Sequence, residues 1–381
     1  MNLYEDLIKA IETNNIKKVQ EIIAENKKIK IDIKIQRGNT PLLIAVKKGH
    51  YEITKFILGN GADINKKDRN KNTPLHEAVK SKNIRMTTLL LENKACANAR
   101  DNAGDTPLHK IARMGGNISI SRMLISHGAD INIQNKEGDT PLQIASRKGF
   151  LSFVNFLLEQ GARVNIPNNY GMLPLHMAAK HGHTEIIKLL LQYGSKINEK
   201  DRFESTPLNK AIKNKNFETA KILIESGADV NIPNIEEKIP LHWASMYGDV
   251  ETVALLLKRG SQINAKNKEG DTPLHKAAWG YHMSKEKSYI EIADLLIKHG
   301  ADINTRNKEG ETPLHKSYDN AEMIKLLLKH GADINAQDKY GNTVLHHVCS
   351  FNKDVIRLLL KFGAKRNIKN HKGITPLENR E

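Results

Sequence analysis

Histidines that recur beside carboxylates are the first candidates for chemistry in this sequence. Of sixteen histidines, seven end copies of one stretch, which reads Gly-Asp-Thr-Pro-Leu-His at residues 270–275. Histidine close to aspartate is a combination used for metal binding and for acid–base catalysis. The seven are His76, His109, His176, His242, His275, His315 and His346. What they could do depends on the elements that carry them.

The stretch recurs at a nearly constant interval along the chain. With its proline as the marker, copies stand 33 or 34 residues apart from Pro41 to Pro273, and Pro313, Val344 and Pro376 continue the series. Such a period indicates a solenoid in which each unit contacts only its neighbours. Equivalent histidines are then about one layer apart, too far to share a metal whose ligand distances are about 2 Å.

Each unit predicts two short helices, and residues 171–203 are an example. Pro174 stands at the first helical position, where its missing N–H costs nothing, and in most units a threonine N-cap precedes the proline. The second helix, over 185–192, is apolar nearly all round, which is typical of a helix packed between others. Gly194 ends it, because glycine adopts the left-handed conformation most easily.

These residues resemble the ankyrin repeat family. One signature of that family is Thr-Pro-Leu-His-x-Ala, and the other, Gly-Ala-Asp-Ile-Asn, stands intact at 61–65, 128–132, 300–304 and 331–335. The resemblance implies an all-α-type repeat solenoid of helix-turn-helix pairs with β-hairpin fingers, stacked as a curved, elongated array with a concave face. It also implies that the signature histidine makes structural hydrogen bonds.

The chain divides into a cap, an array and a final fragment. Residues 1–36 lack the signature and carry charged outer positions, as expected of an N-terminal capping repeat with one neighbour. Residues 37–372 predict ten ankyrin repeats, with an insertion near 281–288, and residues 373–381 a truncated C-terminal repeat. Lys94 replaces a helix-ending glycine, so we expect a left-handed lysine there at a cost of about 1 kcal/mol.

The composition excludes several function classes. Cys96 and Cys349 lie on distant repeats, which favours a reducing compartment over a disulfide. No apolar run reaches transmembrane length, and the N-terminus has no signal region. The Ile-, Lys- and Asn-rich usage resembles proteins of intracellular bacteria and large viruses, so we expect a cytoplasmic protein or one delivered into a host cell.

No motif for catalysis or for a cofactor is present. The sequence contains no phosphate-binding loop that ends in Lys-Ser/Thr, no Gly-x-Ser-x-Gly elbow and no second histidine at zincin spacing after His76-Glu77. We therefore expect no catalytic residue, no cofactor, no metal site and no enzymatic activity.

The remaining candidates lie on the surface. The resemblance implies that finger tips and the ends of first helices build the binding face, where exposed apolar and aromatic residues suggest a binding patch. The alternative is that each residue covers its own loop or packs on the next repeat. The candidates are Tyr170, Phe203, Ile235, Met246, Tyr247 and Trp279.

A second candidate surface is basic. The net charge is +16, and the earlier repeats place cations at equivalent first-helix ends. A positive groove would suit an acidic protein segment, with nucleic acid as second choice, whereas the alternative is a solvated, lysine-rich face. The residues are Lys47, Lys48, Lys80, Arg113, Arg147 and Lys148.

The leading hypothesis is a monomeric, non-enzymatic scaffold for protein–protein interaction. It would bind another protein through its concave groove and finger tips, as a host-directed factor of an intracellular bacterium or virus. The alternative hypothesis is a basic protein that binds nucleic acid or an anionic surface, and this predicts binding that weakens steeply with salt.

Overall fold

The computed structural model describes residues 3–26, 29–35, 38–284, 286–348 and 352–376, and of residues 281–284 it describes only the backbone. In these ranges the chain forms twenty-two helices and no strand. They are short and come in pairs, a first helix and a second helix, so the predicted series of helix pairs is confirmed.

The helices of the first six pairs are α1 (Leu3–Glu12), α2 (Ile16–Glu25), α3 (Pro41–Lys48), α4 (Tyr51–Gly59), α5 (Pro74–Lys80), α6 (Ile84–Glu92), α7 (Pro107–Arg113), α8 (Ile118–Ser126), α9 (Pro141–Lys148), α10 (Leu151–Glu159), α11 (Pro174–His181) and α12 (Thr184–Gln192). The later pairs are α13 (Pro207–Lys213), α14 (Phe217–Glu225), α15 (Pro240–Tyr247), α16 (Val250–Lys258), α17 (Pro273–Ser284), α18 (Ser288–Lys298), α19 (Pro313–Lys316), α20 (Ala321–Lys329), α21 (Val344–His347) and α22 (Lys353–Lys361).

The first helices begin and end at local sequence signals. Thr40, Thr140 and Thr206 each stand directly before the proline that starts a first helix. The hydroxyl of each accepts a hydrogen bond from the backbone N–H three residues later. Gly49 and Gly149 end α3 and α9 in the left-handed conformation, with φ of 77° and 79°. Because these signals are local, the sequence predicts most first-helix boundaries.

The fingers between helix pairs are tight turns. In one finger the Asn135 N–H donates to the Asp139 carbonyl at 3.0 Å. At the tip of the same finger, the Lys136 N–H donates to the Ala103 carbonyl of the preceding finger. One backbone bond within a finger and one to its neighbour are too few for a regular ladder. The described residues therefore carry turns where the family resemblance led us to expect β-hairpins.

Small and branched side chains fill the space between helices. Leu108 and Ala112 on α7 are fully buried, as are Ile120 and Leu124 on α8. Burial of such side chains is the main stabilising contribution in the pairs, because helices of seven to nine residues are marginal in isolation.

The chain forms two compact units. Unit 1 comprises residues 1–178 and 188–195, and unit 2 comprises residues 179–187 and 196–381. All six candidate basic residues and Tyr170 belong to unit 1. The other five candidate apolar residues belong to unit 2.

Several backbone expectations can be compared with the structure. Lys94 has φ of 65°, so the predicted left-handed lysine is confirmed. Cys349, residue 285 and residues 377–381 lie outside the described residues, as do the side chains of 281–284 within the expected insertion. In the ranges given above, every helix is too short or too polar to cross a lipid bilayer.

Candidate interaction surface

The signature histidines are bonded through both ring nitrogens. Nδ1 of His76 accepts from the Thr73 N–H at 3.2 Å, and Nε2 lies 3.1 Å from the Asp105 carbonyl of the following finger. Because Nδ1 accepts, Nε2 must carry the proton and donate it. The same pair of contacts recurs at His109, His242 and His275. Each histidine joins its own helix start to the next finger.

Burial keeps these imidazoles neutral. It lowers the pKa of His242 and of His275 to about 4, although the carbonyls of Asp271 and Glu311 that accept from them partly oppose this. The pKa values of His76 and His109 are lowered for the same reason. A neutral ring with both nitrogens in use is a structural connector. No group of three His, Cys, Asp or Glu side chains in the described part of the chain is placed to hold a metal.

Other side chains occupy the histidine position in three repeats, namely Leu43, Gln143 and Asn209. Gln143 reproduces the connection, since its Oε1 accepts from the Thr140 N–H at 2.7 Å and its Nε2 donates to the Met172 carbonyl at 2.7 Å. Asn209 is one carbon shorter and donates only to the Ile232 carbonyl, leaving its buried Oδ1 without a partner among the described residues.

In unit 1, three of the predicted basic residues are tied to finger carboxylates. Arg113 Nε donates to Asp105 Oδ2 at 2.8 Å, and Arg147 Nη1 lies 3.0 Å from Asp139 Oδ2. Lys47 Nζ likewise lies 3.2 Å from a carboxylate oxygen of Asp68. The three carboxylates are nearly inaccessible to solvent, so these cations neutralise buried charge in their own array.

The pKa of Asp105 reflects this pairing. Burial would raise the pKa of its carboxyl, but hydrogen bonds from Arg113 and Asn135, together with the charge of Arg113, outweigh that effect and lower it. Asp105 is therefore a carboxylate at neutral pH, with its partners supplied by the fold.

The other three predicted basic residues are free of such contacts. Lys48, Lys80 and Lys148 are exposed and form no ion pair within the described residues. The predicted basic row thus consists of two kinds of residue that the sequence cannot separate, because both stand at the ends of first helices.

In unit 2 the finger carboxylates are paired from an earlier position on the first helix. Lys210 Nζ lies 2.5 Å from Asp201 Oδ2, and Lys276 Nζ lies 2.6 Å from Asp271 Oδ2. Lys316 forms the same pair with Glu311. Because the lysine here lies three residues earlier on the helix, the carboxylate does not depend on the position of Arg113 and Arg147. In these three repeats that position holds Lys213, Trp279 and Asp319.

α15 carries two aromatic residues. Trp243 stands at the position of these lysines, and Tyr247 is the last residue of the helix. The Trp243 and Tyr247 rings are stacked with centroids 5.9 Å apart. Trp243 is buried, at 5 % exposure, and Tyr247 is half-buried. The Trp243 indole N–H has no acceptor among the described residues, which costs roughly 1–3 kcal/mol.

Lysines surround the two rings. The ammonium groups of Lys213 and Lys238 lie 5.3 and 4.6 Å from the Trp243 ring centroid, and that of Lys215 lies 5.2 Å from the Tyr247 centroid. These are cation–π distances. Burial, and then the charge of Glu236, raises the pKa of Tyr247. The rings thus lie in a positive environment.

The finger tips next to this cluster carry Phe203 and Ile235, which are 52 % and 44 % exposed. The Ile235 N–H donates to the Phe203 carbonyl at 3.0 Å, so the two tips touch. The sequence prediction placed Ile235 at the same tip position as Phe203. Both fingers have a left-handed glutamate, Glu204 with φ of 54° and Glu237 with φ of 56°. Phe203 stands one residue before it and Ile235 two, so Ile235 lies one residue earlier than predicted.

Met246, the neighbour of Tyr247 in the chain, lies close to Gly280 of α17. The Tyr289 hydroxyl donates to the Met246 carbonyl at 3.1 Å, and Tyr289 packs so closely on Gly280 that an added Cβ would lie 2.2 Å from its ring. Gly280 thus lets α17 approach Met246, and Trp279 beside it remains 37 % exposed. We call Phe203, Ile235, Met246, Tyr247 and Trp279 the aromatic surface of unit 2.

Tyr170 has the predicted exposure, at 52 %, but it lies in unit 1. Its finger is built by Asn168, whose Oδ1 accepts from the Tyr170 N–H at 2.9 Å. Tyr340, in unit 2, has the same tip position, and the Lys339 ammonium lies 4.9 Å from its ring centroid.

Comparison with protein families gives a match over most of the chain. The family model described as ankyrin repeats, three copies, matches eight overlapping segments, at residues 7–101, 58–135, 97–168, 129–201, 160–234, 208–307, 241–338 and 281–370. A search of curated proteins finds no significant match. The matched segments coincide with the bonded histidines, the capped first helices and the linked fingers described above. The chain belongs to the ankyrin repeat family.

Proposed function

We propose that this protein is a non-enzymatic scaffold that binds a protein partner through the aromatic surface of unit 2. Ankyrin repeats are in general modules for protein–protein interaction. The observation that carries the proposal is the exposure of Phe203, Ile235 and Trp279 beside the stacked rings of α15. Exposed aromatic residues grouped in this way are typical of the centre of a protein interface.

The environment of Trp243 supports the same proposal. A buried indole N–H without an acceptor lowers stability, and such local costs are typical of sites kept for function. Glu236 neutralises Lys238, but Lys213 and Lys215 form no ion pair within the described residues, and they favour a partner segment that carries carboxylates next to its apolar residues.

The alternative, binding of nucleic acid or an anionic surface through the basic row, has less support. Lys47, Arg113 and Arg147 are held by carboxylates, so half of the predicted positive charge there is already neutralised. Binding through that row would weaken steeply with salt. Binding through the aromatic surface would change much less, because apolar burial dominates it.

The test is capture of partners by the purified protein, compared with the double variant Tyr247→Ala and Trp279→Ala. We expect specific partners to be lost from the variant, since truncating aromatic anchors costs 2 kcal/mol or more of binding free energy, roughly thirtyfold in affinity. A matched control is Lys48→Ala with Lys148→Ala, which should retain the partners that the aromatic variant loses. Circular dichroism confirms that both variants are folded.

Retention of all partners by the aromatic variant would contradict the proposal. Their loss from the lysine variant alone would favour the basic row instead. That the partner belongs to the host of an intracellular bacterium or virus is a further part of the proposal, and it rests only on the Ile-, Lys- and Asn-rich composition.

A further inference from the structure

Unit 1 carries a row of exposed apolar residues that is separate from the finger face. Ile84, Ile118 and Leu151 are 49 %, 42 % and 41 % exposed, and each is the first residue of a second helix. Met114, at the end of α7, is exposed as well. Each is a large apolar side chain left at the turn between the two helices of a pair.

These positions form one continuous surface over four successive helix pairs. The Arg85 guanidinium lies 3.7 Å from the centroid of the Tyr51 ring, which starts the preceding second helix. Lys82 and Met114 line the same shallow depression. A Cβ added to Gly115 would lie 3.9 Å from the Phe150 ring of the next pair. We call Tyr51, Ile84, Met114, Ile118 and Leu151 the turn row.

Unpaired lysines flank the turn row. Lys48, Lys80, Lys82 and Lys148 lie on the same four turns, are exposed, and make no ion pair within the described residues. The only acidic residue in turn segments 47–52, 80–85, 113–119 and 147–152 is Glu52, which lies 3.5 Å from Arg85. The surface therefore combines apolar side chains with uncompensated positive charge.

The row is a property of unit 1. The second helices of unit 2 start with residues that are polar, small or half-buried: Thr184, Phe217, Val250, Ser288, Ala321 and Lys353. The pattern therefore does not follow from the repeat itself, since the repeat tolerates polar residues at the same place. An apolar residue that is exposed at a position where the repeat does not require one indicates a binding surface.

We propose that the turn row binds an acidic amphipathic helix of a partner protein, independently of the aromatic surface. Packed helices lie about 8–10 Å apart, so side chains on successive pairs recur at about that distance. Seven residues of a partner helix span roughly 10.5 Å. Apolar residues at seven-residue intervals would therefore meet successive apolar positions of the row, and flanking glutamates would meet the lysines.

An anionic bilayer is the weaker occupant. It would attract the same lysines, but interfacial insertion typically uses tryptophan and tyrosine at the depth of the headgroups. The turn row offers mainly aliphatic side chains, and its one aromatic member, Tyr51, is half-buried and covered by Arg85.

The test uses a synthetic helical peptide of about 21 residues, with leucines at seven-residue intervals flanked by glutamates. Its binding to the full-length protein is followed by fluorescence anisotropy. We expect binding that weakens at least tenfold in the triple variant Ile84→Ser, Ile118→Ser and Leu151→Ser. The same peptide with lysines in place of its glutamates should not bind.

A matched control is Phe203→Ser in unit 2, which should bind the peptide as the unaltered protein does. If the triple variant does not fold, the double variant Lys82→Glu with Lys148→Glu should weaken binding of the peptide, because its glutamates would then face carboxylates in place of ammonium groups. Equal binding by the unaltered protein and both variants would overturn the proposal, as would binding to phosphatidylserine vesicles without binding to the peptide. Because the triple serine variant and the lysine variant leave the aromatic surface intact, the outcome is independent of the partner-capture test.

Discussion

Units 1 and 2 neutralise the buried carboxylates of their fingers with cations from different positions on the first helix. This difference separates residues needed for stability from residues available for binding. In both, a buried finger carboxylate needs a cation. In unit 1, Arg147 at the end of α9 supplies it to Asp139, whereas in unit 2 Lys276, one turn earlier on α17, supplies it to Asp271. The position that Arg147 and Trp279 share, six residues after the proline of the repeat, is therefore committed to stability in the first case and available for binding in the second.

This comparison explains why similar positions carry such different residues. Where the earlier lysine is present, as Lys276 is on α17, Trp279 three residues later takes no part in neutralising the carboxylate. Where that lysine is replaced by Ile144 on α9, the cation three residues later, Arg147, neutralises the buried carboxylate. Repeat 107–139 has both, since Lys110 pairs with Asp101 while Arg113 holds Asp105.

The largest expected effect is a loss of stability of unit 2 in acid. His242 and His275 have a pKa of about 4 in the folded chain and about 6.5 when unfolded. Because the unfolded chain binds more protons between these values, stability falls as pH drops from about 6.5 to about 4. The loss is roughly 3 kcal/mol for each histidine.

Hydrogen exchange measures this effect helix by helix. We expect protection of α15 and α17 to fall over that pH window, after correction for the intrinsic exchange rate. The matched controls are α3 and α9 of unit 1, where Leu43 and Gln143 occupy the histidine position and do not titrate. Equal losses in all four helices would show that the histidines are not responsible.

The second effect is the cost of removing a structural cation. Arg147→Met leaves the buried Asp139 carboxylate with only the Asn168 amide, and we expect a loss of about 2 kcal/mol, discounted because the arginine is partly exposed. A shift of the urea midpoint measures it.

Two control variants sharpen this test. Lys148→Met, the adjacent free lysine, should change stability by less than about 0.5 kcal/mol. Trp279→Phe in unit 2 should cost about 1 kcal/mol or less, because the side chain is partly exposed and most of its apolar ring is retained. If Trp279→Phe destabilised the protein more than Arg147→Met, the contrast between the units would be wrong.

The smallest expected effect concerns backbone strain in unit 1. Lys94 is left-handed, with φ of 65°, where equivalent positions in unit 2 are glycines such as Gly227 and Gly260. We expect Lys94→Gly to stabilise the chain by about 0.5–1 kcal/mol in urea denaturation. Lys94→Ala keeps the unfavourable φ and should give no gain. A destabilised glycine variant would mean that the lysine side chain has a structural role.

The helices and the role of the signature histidines could be predicted from the sequence. Both depend on contacts within a few residues or on a connection repeated in every unit, such as Thr73 to His76 to the next finger. The finger tips could be aligned by counting back from the proline of each repeat. Phe203 stands four residues before Pro207, whereas Ile235 stands five before Pro240, so the count places Glu236 opposite Phe203.

The division of the basic row could not be predicted. Arg147 and Lys148 are adjacent, yet only Arg147 reaches Asp139, since helix geometry points the two side chains in different directions. The turn row was equally hidden, because single apolar residues such as Ile84 are ordinary in a helix. A signal was present in the spacing of Ile84, Ile118 and Leu151, which recur at intervals of 34 and 33 residues.

The histidine connections bear on how such a gene can change length. His109 reaches a carbonyl 30 residues later, and His275 reaches one 36 residues later, yet the contacts measure 3.0 and 3.1 Å. The additional residues between His275 and Glu311 therefore leave the hydrogen bond between neighbouring repeats unchanged, since a longer loop costs little free energy. Duplication or loss of a whole module would likewise re-create the same join, so the array can be edited without inventing new contacts.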